Sequence, residues 1–177
     1  KSKNIALRDF SPSIKIDVDL SYYSQVEEFT VTGEKLILKN GLAKGIVPAP
    51  LKRLHLANVF GIANLTGFEH LMKISLLNCP DITTLEGLTR VPSIHLYGLV
   101  LTSLEGLGEN RDVWIESCGN ITDFSPLKYV NRVTVVKCKG FRDASHLDHV
   151  SHVTITSCDG LEDVSGFRHA KSVEVSN

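Results

Sequence analysis

The sequence predicts a solenoid of short stacked repeats carrying one parallel β-sheet, and three observations lead there. On a twenty-residue ruler, Leu54, Ile74, Ile94, Val113, Val133, Val153 and Val173 fall in register. A second apolar residue follows each by two, at Leu56, Leu76, Leu96, Ile115, Val135, Ile155 and Val175. Such strict alternation marks a strand with one buried face. Cys118, Cys138 and Cys158 are also spaced by twenty. A disulfide framework has no reason to be that regular, whereas a structural repeat does. One step, Ile94 to Val113, is nineteen, and the missing residue is expected between Leu96 and Leu101, near Tyr97 and Gly98.

Each strand is followed by a return path with its own apolar pattern. Ile62, Ile82, Leu101, Ile121, Phe141 and Leu161 repeat, as do Leu65, Leu85, Leu104, Phe124, Ala144 and Val164, and then Phe68, Leu88, Leu107, Leu127, Leu147 and Phe167. Within a unit the three positions are three apart, which suits 3₁₀-like or tight irregular turns. Twenty residues have no room for a strand, two turns and a long helix. Ser125-Pro126 reads as a cap followed by the first residue of a helical turn.

The unit is therefore L-x-x-L-x-L-x-x-C-x-x-I-x-x-L-x-x-L over Leu51 to Asn177. It resembles the leucine-rich repeat, L-x-x-L-x-L-x-x-N/C. Stretches such as Ile121-Thr122-Asp123-Phe124-Ser125-Pro126-Leu127 look much like internalin-type and phosphatase-regulator-type repeats. Two departures stand out: Cys79, Cys118, Cys138 and Cys158 occupy the usual Asn position, and the period is shorter than in those classes. The resemblance implies a leucine-rich-repeat solenoid of about seven turns, a right-handed curved superhelix with the sheet on its concave face and turns on the convex side.

Residues 1–50 fit the repeat less well and are expected to form an N-terminal cap with one or two degenerate turns, leaving 51–177 as the regular array. Ile14, Ile16, Val18 and Leu20 alternate as a strand; Val26, Phe29 and Val31 reproduce the repeat spacing; Leu36 and Leu38 offer another strand; Pro48-Ala49-Pro50 breaks the chain. At the other end, Val173 and Val175 begin a turn for which no cap is visible in the sequence. Further repeats beyond Asn177, or end-to-end self-association through the 173–177 edge strand, are the two expectations.

Composition bounds the function classes. Of 177 residues, 42% are hydrophobic and 22% charged, which describes a folding chain. The net charge of −1 argues against a nucleic-acid partner. No apolar run approaches the roughly 20 residues of a membrane span, so no membrane insertion is expected. Aromatics make up only 7%, so aliphatic side chains must fill the core.

The residue types that often carry chemistry have structural readings here. The cysteines are expected to stack as a ladder about 4.8 Å apart, small inert hydrophobes whose thiols bond neighbouring carbonyls. Free buried thiols favour an intracellular location, with a secreted or translocated effector as the other setting. No CxxC occurs, and the His146, His149, His152 spacing has no standard zinc geometry off a helix. Asp123, Asp143 and Asp163 recur every twenty residues and are expected to cap the turn that follows each, in place of binding calcium. No nucleophile elbow or phosphate loop is present. No catalytic residue, metal ligand or cofactor is assigned, and the chain is read as no enzyme.

The candidate site is the outward face of the strands. Leu77, His95, Tyr97, Trp114 and Val136 are expected to form one patch across neighbouring turns, with Arg53, Lys73, Asp112, Glu116, Arg132 and Lys137 as a mixed-charge rim. Placing the one Trp outside the core, beside Tyr, suits an interface anchor. The expected partner-binding set is Leu77, His95, Tyr97, Trp114, Glu116, Arg132 and Val136. The resemblance implies a non-enzymatic protein-recognition module. The alternatives are the targeting part of a larger enzyme, such as an effector ligase, and a carbohydrate-binding or carbohydrate-cleaving parallel β-helix.

Overall fold

The computed structural model describes residues 4–10, 15–16, 25–38 and 51–177. They form a parallel β-solenoid. Its strands are β1 (Asn4–Phe10), β2 (Lys15–Ile16), β3 (Glu28–Leu38), β4 (Arg53–Phe60), β5 (Lys73–Leu77), β6 (Ser93–Tyr97), β7 (Asp112–Glu116), β8 (Arg132–Val136), β9 (His152–Thr156) and β10 (Ser172–Ser176). One sheet takes them in the order β1-β3-β4-β5-β6-β7-β8-β9-β10, with β2 beside β3. Every pairing is parallel.

The register follows the sequence ruler. Leu54 pairs with Ile74, Ile74 with Ile94, Ile94 with Val113, Val113 with Val133 and Val133 with Val153. These residues and their partners two positions on are buried from β4 to β9. The core columns continue into β3, where Phe29 pairs with Leu54 and Val31 with Leu56, both without exposed surface. Of the expected strand over 14–20, only Lys15–Ile16 is described, paired with Ile37 and Leu38; Ile14, Val18, Leu20 and Pro48–Pro50 lie outside the described residues.

The spacing of three in the return path has a hydrogen-bond origin. Leu88 N donates to Leu85 O and Val91 N to Leu88 O, each at 3.0 Å. The same steps run Phe124–Leu127–Val130 and Ala144–Leu147–Val150. Each such residue turns its side chain inward and uses its own N–H or C=O on a residue three away, so the buried backbone is satisfied without a long helix. In the last three turns this tightens into 3₁₀ segments at Ser125–Tyr129, Ser145–Leu147 and Ser165–His169. Ser125 is the first residue of its segment and not the cap; Phe124 holds that position without a side-chain bond. The capping oxygen comes from one residue earlier, where Asp123 accepts the Ser125 N–H at 2.9 Å. Asp143 and Asp163 do the same for Ser145 and Ser165 at 2.7 Å.

A left-handed residue follows each strand from β5 to β9, and Asn58 holds the equivalent position within β4. Asn58, Asn78, Ser117, Lys137 and Ser157 have φ between 50 and 56°, and Gly98 has φ 62°. The bend aims the next residue inward: Val59, Cys79, Leu99, Cys118, Cys138 and Cys158 are all buried. The N–H of each bent residue from Asn78 onward reaches the carbonyl ending the next strand, as Lys137 N does to Thr156 O at 2.9 Å. Leu99 therefore holds the cysteine position in its turn. Since Gly98 and Leu99 keep their places, the missing residue lies between Leu99 and Leu101, later than the expected Tyr97–Gly98, and the strands stay in register.

Asn110 is a polar residue buried in an otherwise apolar column. Its Nδ2 donates to Leu88 O at 2.7 Å and Val91 O at 2.8 Å, and its Oδ1 accepts the Gly108 N–H at 2.9 Å. All three polar sites of the amide engaged here have partners, which is the condition for burying it.

Candidate functional site on the outward strand face

Because side chains alternate, three rows face away from the core across the sheet. The first row runs Glu28, Arg53, Lys73, Ser93, Asp112, Arg132, His152; the second Thr30, His55, Ser75, His95, Trp114, Thr134, Thr154; the third Thr32, Ala57, Leu77, Tyr97, Glu116, Val136, Thr156. Strand pairing holds neighbours in a row roughly 5 Å apart. Trp114 is 45% exposed on this face, whereas Ser75 in the same row is buried among its neighbours.

A cavity of about 420 Å³ crosses β6, β7 and β8, walled by His95, Trp114, Thr134, Asp112 and Arg132. The His95 and Trp114 rings are 5.4 Å apart and tilted by 51°. Arg132 Nη1 stands 3.4 Å from Asp112 Oδ1 and fixes one rim. Trp114 Nε1–H donates to Glu116 Oε2 at 3.3 Å, which holds the indole across its own strand. Burial, followed by the charges of Lys73 and His55, lowers the His95 pKa against the opposing pull of Glu116, so the imidazole is neutral at pH 7. Its Nε2 is buried without a hydrogen-bond partner among the described residues.

Of the expected patch, this cavity gathers His95, Trp114 and Arg132. Leu77, Tyr97, Glu116 and Val136 lie in the third row, one row toward the strand ends, and do not line it. Lys73, Ser93, Asp112 and Thr134 do line it. The signal was available: the alternation that places His95 outward also places Ser93 outward, so the cavity sits one row nearer the strand starts than the apolar residues suggested.

A second cavity, about 490 Å³, opens on the same face where β1, β3, β4 and β5 adjoin, with Lys73 in the wall of both. Arg8, Arg53 and His55 line it together with Glu28. Burial lowers the His55 pKa, and Lys73 and Arg8 lower it further against Glu28.

The other candidate groups do not converge. All four cysteines are free and buried. Cys79, Cys138 and Cys158 Sγ contact Leu56, Ile115 and Val135 carbonyls in the preceding turn at 3.7–3.9 Å. Burial pushes the Cys79 thiol up to about 11 and Cys138 up to about 12, and raises Cys118 and Cys158 as well. These are protonated, unreactive thiols at neutral pH. His146 faces Asp143 at 3.9 Å and His149 faces Asp148 at 3.8 Å, while His152 stands on β9. Among the described residues no three His, Cys, Asp or Glu side chains group as metal ligands, and no helix is long and apolar enough to cross a membrane.

Scanned against protein-family models the chain matches none, and a search of curated proteins finds no match to it.

Proposed function

We propose that the chain is a leucine-rich-repeat type recognition module, non-enzymatic, that binds a protein partner on the outward face of its sheet. The observation that carries the reading is Trp114. It is the one Trp of the chain, it stands 45% exposed, and it forms the wall of a cavity with His95. Large aromatic side chains in a pocket rimmed by charge are the usual energetic anchors of protein interfaces. Arg132 and Asp112 supply the polar rim. Presentation from strands locked in register leaves little ordering entropy to lose on binding. One strand per turn and a return path of three-residue steps support the leucine-rich-repeat reading over a three-sheet β-helix. On that reading the cysteines form a ladder in the core, and the sheet lines the concave side of a curved superhelix.

The test is partner capture by the full chain, comparing Trp114→Ala/Arg132→Ala with Lys128→Ala/Asp148→Ala on the return path. The first pair is expected to abolish capture at unchanged melting temperature, and the second to leave it intact. Capture surviving Trp114→Ala/Arg132→Ala would remove this face from the proposal. A soluble oligosaccharide competing for the same face would replace the protein partner with a glycan.

A further inference from the structure

The geometry points to a phosphomonoester-binding site in the cavity bounded by β1, β3, β4 and β5, where Arg8, Arg53 and Lys73 oppose the single carboxylate of Glu28. It stands apart from the recognition reading, since it needs no protein partner.

Three cations against one carboxylate leave a net double positive charge in one concave site. Glu28 is engaged by Arg53 at 3.9 Å. Arg8 and Lys73 make no ion pair among the described residues, and both project from the open face. A dianion balances that charge, whereas a lone carboxylate leaves one cation uncompensated. Hydroxyls of Thr30, Thr32 and Ser75 line the wall and supply donors for further oxygens of a tetrahedral group. Guanidinium forks and an ammonium are the side chains best matched to phosphate oxygens. The cavity volume, about 490 Å³, falls in the range of small-molecule sites and far exceeds a bare ion. Lys73 also borders the His95–Trp114 cavity, so the organic part of an ester has an apolar wall to extend along.

His55 reports on the site. Burial, then Lys73 and Arg8, disfavour its protonation. The charged and titratable groups around it are Arg8 from β1, Glu28 from β3, Arg53 from its own strand, Lys73 from β5 and His95 from β6. A bound dianion offsets the cations and favours imidazolium, so saturation raises the His55 pKa. By linkage, affinity for a dianion that does not itself titrate strengthens as pH falls through that pKa.

Binding of inorganic phosphate, phenyl phosphate, sulfate and acetate to the 177-residue chain is measured by calorimetry, and His55 is followed by imidazole NMR. Saturable binding of phosphate and at least equal binding of phenyl phosphate are expected, with acetate weaker by roughly tenfold or more. Sulfate, dianionic throughout, should raise the His55 pKa and bind more tightly as pH falls from 7 to about 5.5. Arg8→Gln and Lys73→Gln orphan no carboxylate; each should weaken phosphate by roughly tenfold while melting and fold stay unchanged. Lys128→Gln should change nothing. Acetate binding as tightly as phosphate, undiminished binding by folded Arg8→Gln/Lys73→Gln, or no saturation at millimolar phosphate would each overturn the site. Phenyl phosphate binding tenfold weaker than phosphate would overturn the ester assignment.

Discussion

Asp123 and Ser125 stand two residues apart and are joined by a 2.9 Å hydrogen bond from the serine N–H to the aspartate Oδ1, a link repeated at Asp143–Ser145 and Asp163–Ser165. The bond to the ionised carboxylate, from backbone and side chain of Ser125, holds the Asp123 pKa below its usual value, and Ser145 does the same for Asp143. A depressed carboxylate pKa stabilises the fold above the unfolded value of about 3.9, and that stability is lost as pH falls through the folded value. Asp123→Ala should cost about 0.5–1 kcal/mol at pH 7 by urea unfolding. The deficit should shrink as pH is lowered from 7 towards 2 and the wild-type carboxylate takes up its proton. An equal deficit at both pH values would remove the charge from the explanation.

Asn110 predicts a larger loss. Asn110→Ala leaves the Leu88 and Val91 carbonyls and the Gly108 N–H without the amide, in a column that excludes water. The expected cost is about 1–3 kcal/mol, at the level of one buried carbonyl, that of Val91, left without a donor. Asn110→Leu matches the residue type of the other turns and should still destabilise, because the Val91 carbonyl and the Gly108 N–H lose their partner, whereas the Leu88 carbonyl keeps the Val91 N–H. A neutral Asn110→Leu would mean that the column needs only volume there.

Two glycines separate backbone need from coincidence. Gly87 has φ +94°, and a Cβ on it would meet Leu65 O at 2.6 Å, backbone of the preceding turn. Gly119 has nothing within 4 Å of the same atom. Gly87→Ala should therefore lower stability by at least about 1–2 kcal/mol, whereas Gly119→Ala should be neutral or slightly stabilising through the unfolded chain. Equal melting temperatures for the two variants would show that adjacent turns can move apart at little cost.

The thiols predict alkaline behaviour. Cys79 and Cys138 titrate near 11 and 12 in the folded protein, above the unfolded value of about 8.5. Raised pKa values favour the folded state fully below the unfolded pKa, and that advantage is lost as pH rises through the folded values. Stability should fall above about pH 8.5, with a slope of up to about 1.4 kcal/mol per pH unit for each thiol. At pH 8 a thiol reagent should label the native protein slowly and the urea-unfolded protein at once. Rapid native labelling would place the sulfurs within reach of solvent.

The periodic part of the fold was legible because each turn repeats one solution: Val133 and Val135 inward, a left-handed residue at Lys137, an apolar residue at Cys138, then inward side chains every third position. The place of the missing residue was not legible, since only the positive φ at Gly98 and the burial of Leu99 decide which side of the bend is short. Asn110 gave no sign of being core, because its polarity is compensated by carbonyls of another turn. The candidate site was half legible. His95, Trp114 and Arg132 were recognised and do meet, but hydrophobicity drew attention to Leu77 and Val136 in the third row, while the cavity opens over the first two. The basic cavity was hidden further, because Arg8 reaches it from β1, outside the regular repeat.

The short turn between Leu99 and Leu101 bears on how such a chain can change over generations. The return path there is one residue shorter than in the neighbouring turns, and the ladder between Tyr97 and Glu116 is intact. A length change on that side is thus absorbed within one unit, while a second copy of a whole unit, such as 132–151, would keep the parallel strand register of its neighbours. Length is therefore a free variable in this architecture, and an engineered duplication of that segment should yield a longer molecule that melts no lower than the parent.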